Sequence, residues 1–98
     1  MNSKQITELI NRRRRQILVH SCIYYVFDES IISDATWTKW ATELEELQKT
    51  HPDIAKNCVY ASAFDGFDRS TGFDLPLRDP WVIGRAERIL ERRKRNVN

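Results

Sequence analysis

Ile6, Ile10, Ile17, Tyr24 and Phe27 recur at steps of four, seven, seven and three, which keeps them near one face of a helix predicted over about residues 4–27. Four consecutive arginines, Arg12 to Arg15, run through its middle. At about 100° per residue they spread around most of the helix, so they cannot all face water. Arg13 falls on the stripe between Ile10 and Ile17. Either the first turns project beyond the core, or one of these arginines reaches over apolar neighbours to a carboxylate or a ligand.

Asp28-Glu29-Ser30-Ile31-Ile32 forms a connector, after which Ser33 suits an N-cap and Asp34 the first turn of a helix, where an acid favours the exposed amides and the dipole. Trp37, Trp40, Ala41, Leu44 and Leu47 then follow helical spacing and predict an amphipathic helix over about 34–50. Thr50-His51-Pro52 ends it, because proline cannot continue the hydrogen-bond ladder. So short a connector sets the two helices side by side as an antiparallel hairpin.

Residues 53–78 show no sustained period. Phe64-Asp65-Gly66-Phe67-Asp68 and Ser70-Thr71-Gly72-Phe73-Asp74 repeat a Gly-Phe-Asp theme, expected to make turns at the glycines and to pin the loop through its phenylalanines. Asp79 as N-cap, Pro80 at the first position, and Val82, Ala86, Ile89 and Leu90 at helical spacing predict a third helix over about 80–95. It ends in the basic turn Arg92-Arg93-Lys94-Arg95, which complements the dipole. The expected fold is mainly α: the hairpin, a C-terminal helix, and an aromatic Gly-Asp-rich loop over 55–78 between them.

A chain of 98 residues has room for one domain with one modest core. With 41% hydrophobic and 31% charged residues, and only three Gly and three Pro, it is globular in composition and not disordered. No apolar run approaches the roughly 20 residues of a membrane span, and the start lacks the apolar stretch of a secretory signal. Cys22 and Cys58 match no metal spacing, so a cytoplasmic protein with two reduced thiols is expected. The net charge of +2 conceals a basic start (+4 over 1–20), an acidic middle (−5 over 21–78) and a basic end (+3 over 79–98). That segregation implies internal pairing or contact with an anionic partner.

The order His20-Ser21-Cys22-Ile23-Tyr24-Tyr25-Val26-Phe27-Asp28, then Ile32-Ser33-Asp34, then Glu43-Leu44-Glu45-Glu46-Leu47 and His51-Pro52, resembles the amino-terminal domain Ia of bacterial NAD-dependent DNA ligases. The resemblance covers roughly residues 6–54, while Phe64 to Pro80 looks like short stand-alone ligase-related proteins of phages and prophages of Gram-positive bacteria. It implies a domain that grips the nicotinamide mononucleotide half of NAD. Carried over residue by residue, Tyr24 matches the aromatic partner of the nicotinamide ring, Tyr25 a position that is His or Tyr, and Asp34 the first aspartate of the motif. Trp37 stands in place of a tyrosine, a tolerable change because indole stacks at least as well. Thr38 replaces a second aspartate, a departure that removes a hydrogen-bond acceptor.

The residues suit that ligand chemically. A cationic nicotinamide ring is drawn to aromatic faces, a carboxylate neutralises it, and His20, four residues before Tyr24, is placed to bond the phosphate or a backbone carbonyl. The same aromatics, Tyr24, Phe27, Trp37 and Trp40, equally suit plain contact between two helices, and Asp34 a helix-start acid. Catalysis by this chain is not expected. The ligase nucleophile motif Lys-x-Asp-Gly is missing, since the sole Asp-Gly, Asp65-Gly66, is preceded by Phe64 and has no lysine two positions before it. No Gly-x-Ser-x-Gly, His-Glu-x-x-His or phosphate-loop motif occurs, and Asp65, Asp68 and Asp74 lack calcium-loop spacing, so no metal is expected.

Three functions therefore fit the sequence. The first is a non-catalytic binder of NAD or nicotinamide mononucleotide through Tyr24, Tyr25, Asp34, Trp37 and His20. The second is an interaction module or inhibitor that reuses the fold against a host defence or DNA-processing enzyme. The third is non-specific contact with nucleic acid or an acidic partner through Arg12, Arg13, Arg14, Arg15, Arg92, Arg93 and Arg95, to phosphate and sensitive to salt.

Overall fold

The computed structural model describes residues 1–97, which form four helices and, among the described residues, no strand. α1 (Ser3–Tyr25), α2 (Asp34–Thr50) and α4 (Pro80–Val97) are the three helices that the hydrophobic spacing predicts. α3 (Pro52–Ala55) is a single turn that the pattern did not mark, started by the same proline that stops α2.

Local chemistry sets each boundary. Asn2 and Gln5 form a capping box: Gln5 N donates to Asn2 Oδ1 at 2.9 Å and Asn2 N to Gln5 Oε1 at 3.0 Å. α1 stops two residues before the expected end. Asp28 adopts a left-handed φ of 54°, and Glu29 N turns back to Ile23 O at 3.0 Å. Phe27 therefore lies in the turn and not on the helix face. α2 starts as expected, with Ser33 Oγ accepting from Thr36 N at 3.1 Å.

α1 is the axis of the molecule. α2 and α4 each pack on it and not on one another, so they cover different sides. That is why Ile17, Leu18, Val19, Cys22 and Ile23 are all buried, where a single hydrophobic stripe would bury only some of them. Cys22 and Cys58 are free and buried, and burial pushes both thiols up. No helix of the described residues is long and apolar enough to cross a membrane.

The arginine run settles in a specific way. Arg13 does reach a carboxylate: its Nε lies 3.3 Å from Glu43 Oε2, and its Nη1 donates to Gln16 at 2.7 Å. Arg14, however, is the buried one, 2% exposed. Its Nε donates to Gln48 Oε1 and its Nη1 to Val59 O, both at 2.9 Å, and its guanidinium sits 5.5 Å from the centre of the Phe64 ring.

Between α3 and α4 the chain is ordered by turns that close onto α1 and α2. Phe64 is fully buried and Phe67 half-buried, as expected of pinning residues, whereas Phe73 is 64% exposed. Gly66 carries a φ of 70°, the left-handed region that glycine enters without strain. Asp79 caps α4, its Oδ2 accepting from Trp81 N at 3.1 Å, Val82 N at 3.3 Å and the Tyr60 hydroxyl at 2.9 Å. Replacing Asp79 with alanine removes the cap and frees the Tyr60 hydroxyl, at an expected cost of about 1–2 kcal/mol. Thermal unfolding should then show a midpoint lowered by about 4–8 °C for each kcal/mol.

Candidate functional site

Where α1 ends and α2 begins, the hairpin encloses a cavity of about 230 Å³. α1 supplies His20, Ser21, Tyr24 and Tyr25 from its last turns, and these fall within one face at steps of one, three and one. The connector supplies Ser30 to Ser33, and α2 supplies Asp34, Trp37 and Thr38 from its first turns. A hairpin brings the end of one helix to the start of the next. All five residues predicted to hold a cofactor, His20, Tyr24, Tyr25, Asp34 and Trp37, therefore line a single pocket.

Their individual settings differ. Trp37 is half-buried, and its Nε1 donates to Ser21 Oγ at 3.1 Å, so a buried hydroxyl fixes the plane of the indole. Tyr24 is 56% exposed and lies edge-on to Tyr25, ring centres 4.9 Å apart. Tyr24 is thus not part of the contact between the helices, so the plain-packing alternative does not hold for this residue. Trp40 fills that role beside His20, 5.6 Å between ring centres, with the Arg13 guanidinium 5.9 Å from the indole. Burial lowers the pKa of His20, leaving a neutral imidazole at pH 7, and its Nδ1 is buried without a hydrogen-bond partner. His20 thus makes no bond to a backbone carbonyl through that atom.

The remaining wall comes from far along the chain: Arg69, Ser70, Thr71 and Gly72. The Tyr25 hydroxyl lies 3.2 Å from Thr71 Oγ1, and the Tyr25 ring meets Phe73 edge-on at 5.3 Å. Gly72 is buried and needs its lack of a side chain for space: a Cβ there would overlap Ser21 Oγ and lie 3.2 Å from Trp37 Cζ2. Sequence reasoning assigned this segment to a pinned loop and missed its place in the pocket. The available signal was a glycine preceded by two hydroxyl residues, Ser70 and Thr71, which suits close approach of a backbone.

Chemically, the pocket offers aromatic faces, several hydroxyls, one carboxylate (Asp34) and one guanidinium (Arg69). No lysine or cysteine lines it, and its hydroxyls come from serine, threonine and tyrosine. It suits a flat ring with polar and charged substituents. A larger hollow, about 600 Å³, lies elsewhere, between α2, α3 and the loop around Phe64, and none of the predicted cofactor residues lines it.

The basic candidates are dispersed. Arg14 is withdrawn into the core, because its guanidinium serves Gln48, Val59 and Phe64, so it offers nothing to a phosphate. Arg13 is occupied by Glu43 and Gln16. Arg12 and Arg15 remain exposed beside Arg85 and Trp81, with Arg15 5.9 Å from the Trp81 ring centre. On α4, Arg92, Arg93 and Arg95 are exposed; Arg93 bonds Ser30 O at 3.2 Å and Arg95 pairs with Glu91 at 2.8 Å.

Comparison with known proteins converges on the same segment. Residues 3–57 match the family described as DNA ligase-like, N-terminal NAD+-binding domain. The DNA ligase of Roseiflexus sp. (strain RS-1) is 39% identical over 54 residues, 55% of this chain and 7% of that ligase. The DNA ligase of Roseiflexus castenholzii is 46% identical over 41 residues, 42% of the chain and 6% of the ligase. That of Exiguobacterium sibiricum is 33% identical over 73 residues, 69% of the chain and 11% of the ligase. The chain therefore spans only a small part of the length of these relatives. No solved structure matches it. Residues 3–57 are more than half of the chain and include every α1, connector and α2 residue of the pocket, and the chain belongs to the family of DNA ligase-like N-terminal NAD+-binding domains.

Proposed function

We propose that this chain binds nicotinamide mononucleotide, free or as half of NAD+, in the hairpin pocket, and that it acts by binding without catalysing a reaction. The observation that carries this is the convergence of Tyr24, Trp37 and Asp34 on one cavity. The oxidised nicotinamide ring is cationic, and each aromatic face over it is worth about 0.5–2 kcal/mol. Asp34 provides the opposite charge at the same end of the hairpin. Thr38 lines the wall with a hydroxyl where the ligase motif has a second carboxylate, which leaves the ring one anionic partner fewer.

Two features support a binding role. The chain carries no Lys-x-Asp-Gly nucleophile, and among the described residues no hydroxyl of the pocket is hydrogen-bonded to His20 or Asp34. The competing nucleic-acid role loses two of its four α1 arginines to internal contacts. Thermal unfolding with ligand tests the proposal. Mononucleotide at about a hundred times its Kd should stabilise the fold by about 2.7 kcal/mol and raise the midpoint by roughly 10 °C or more. An unchanged midpoint at millimolar nicotinamide mononucleotide and millimolar NAD+ would refute it.

A further inference from the structure

We infer that the segment Arg69–Gly72, outside the family-matched residues, completes the pocket within this chain and that Arg69 is the residue that takes the ligand's phosphate. This rests on the nicotinamide-nucleotide reading above.

Charge balance leads to it. Nicotinamide mononucleotide is a zwitterion, a cationic ring joined through ribose to a phosphate monoester carrying about −1.5 to −2 charges. The part of the pocket built by residues 20–38 supplies an acid, Asp34, but no permanent cation, since burial disfavours the charged form of His20. Among the pocket's lining residues the single guanidinium is that of Arg69. Asp34 and Arg69 thus give the cavity one group of each sign, matching a ligand with one group of each sign. Among the described residues the Arg69 side chain forms no close ion pair, and its charge acts on Glu45 only from a distance.

The segment is also held in place ahead of any ligand. Arg69 N donates to Glu45 Oε2 at 2.9 Å, and that bond, with help from Lys49 and the Arg69 charge, holds the Glu45 carboxyl below its ordinary range. Ser70 N donates to Asp68 Oδ1 at 2.7 Å, and Thr71 Oγ1 faces the Tyr25 hydroxyl and accepts from Phe73 N at 3.1 Å. Gly72 lies against Ser21 and Trp37. The backbone that carries Arg69 is therefore tied to α1 and α2 from both sides. Little backbone ordering remains to oppose binding, so the cost left is that of fixing the Arg69 side chain itself.

The test titrates the wild-type chain and Arg69→Ala with nicotinamide mononucleotide and with nicotinamide riboside, which lacks the phosphate. The wild type should bind the mononucleotide at least about tenfold tighter than the riboside. Arg69→Ala should reduce mononucleotide affinity to the riboside level and leave riboside affinity unchanged, and Arg69→Lys should retain part of the difference. If Arg69→Ala binds the mononucleotide as the wild type does, the phosphate assignment is overturned while the pocket stands. If the wild type binds neither compound, the nicotinamide reading itself fails and the assignment falls with it. Arg69 is exposed and outside every helix, so circular dichroism of the variant should match the wild type.

Discussion

Asp34→Ala is expected to weaken nicotinamide mononucleotide binding at least about tenfold, and combining it with Tyr24→Ala should reduce binding below detection. Asp34 is exposed at the first turn of α2, lines the pocket, and is the sole carboxylate among its lining residues. A hydrogen bond or contact to a charged group of this kind is worth about 1.5–3 kcal/mol, or roughly ten- to a hundredfold. Tyr24 adds an aromatic face worth about 0.5–2 kcal/mol. Neither change should unfold the chain: Tyr24 is more than half exposed, and Ser33, not Asp34, provides the N-cap of α2. The converse variant, Thr38→Asp, restores the second acid of the ligase motif one helical turn from Asp34. Its affinity should rise, and isothermal titration of all three variants checks the set.

Arg14→Ala should destabilise the protein by about 3–5 kcal/mol, a large part of the 5–15 kcal/mol typical of a domain. The guanidinium is 2% exposed and has no carboxylate partner. It is held by Gln48 Oε1, Val59 O and the Phe64 face. Burial draws its pKa down, but an arginine remains charged. Removing it leaves the Val59 carbonyl and the Gln48 amide oxygen without donors, at about 1–3 kcal/mol each, and opens a cavity between α1 and the loop. Arg14→Lys should recover only part of the loss, since one ammonium cannot span both acceptors with the geometry of a planar fork. Urea unfolding midpoints report both variants. An unfolding free energy for Arg14→Ala within about 0.5 kcal/mol of the wild type would show that the contacts do not hold the loop.

The three main helices and the hairpin were legible because periodicity and capping are local. Ser33 and Asp79 cap as their neighbours imply, and Trp37, Ala41 and Leu44 face inward at helical spacing. The pocket's α1 and α2 walls were legible for a related reason. A hairpin joins its two halves through a short connector, so Tyr24 and Asp34 are near in sequence as well as in space. What the pattern could not resolve depends on contacts made across long stretches of chain. Which of four consecutive arginines is buried is decided by Val59 and Phe64, some 45 to 50 residues on. Arg69 and Gly72 enter the pocket because Glu45, Ser21 and Trp37 receive them, and no spacing along the chain encodes that meeting. The burial of Leu18, Val19 and Cys22 likewise requires α4 on the second side of α1. The single turn of α3 is too short to carry a period.

The central claim is that the hairpin pocket recognises the nicotinamide ring, and calorimetric titration of the wild-type chain with nicotinamide mononucleotide against AMP tests it most directly. Both ligands carry a ribose 5′-phosphate, so only the base distinguishes them. The account predicts saturable binding of the nicotinamide compound at micromolar strength, about −8 kcal/mol, with AMP at least a hundredfold weaker. Equal binding of the two, or no heat from the nicotinamide compound at millimolar concentration, would contradict it.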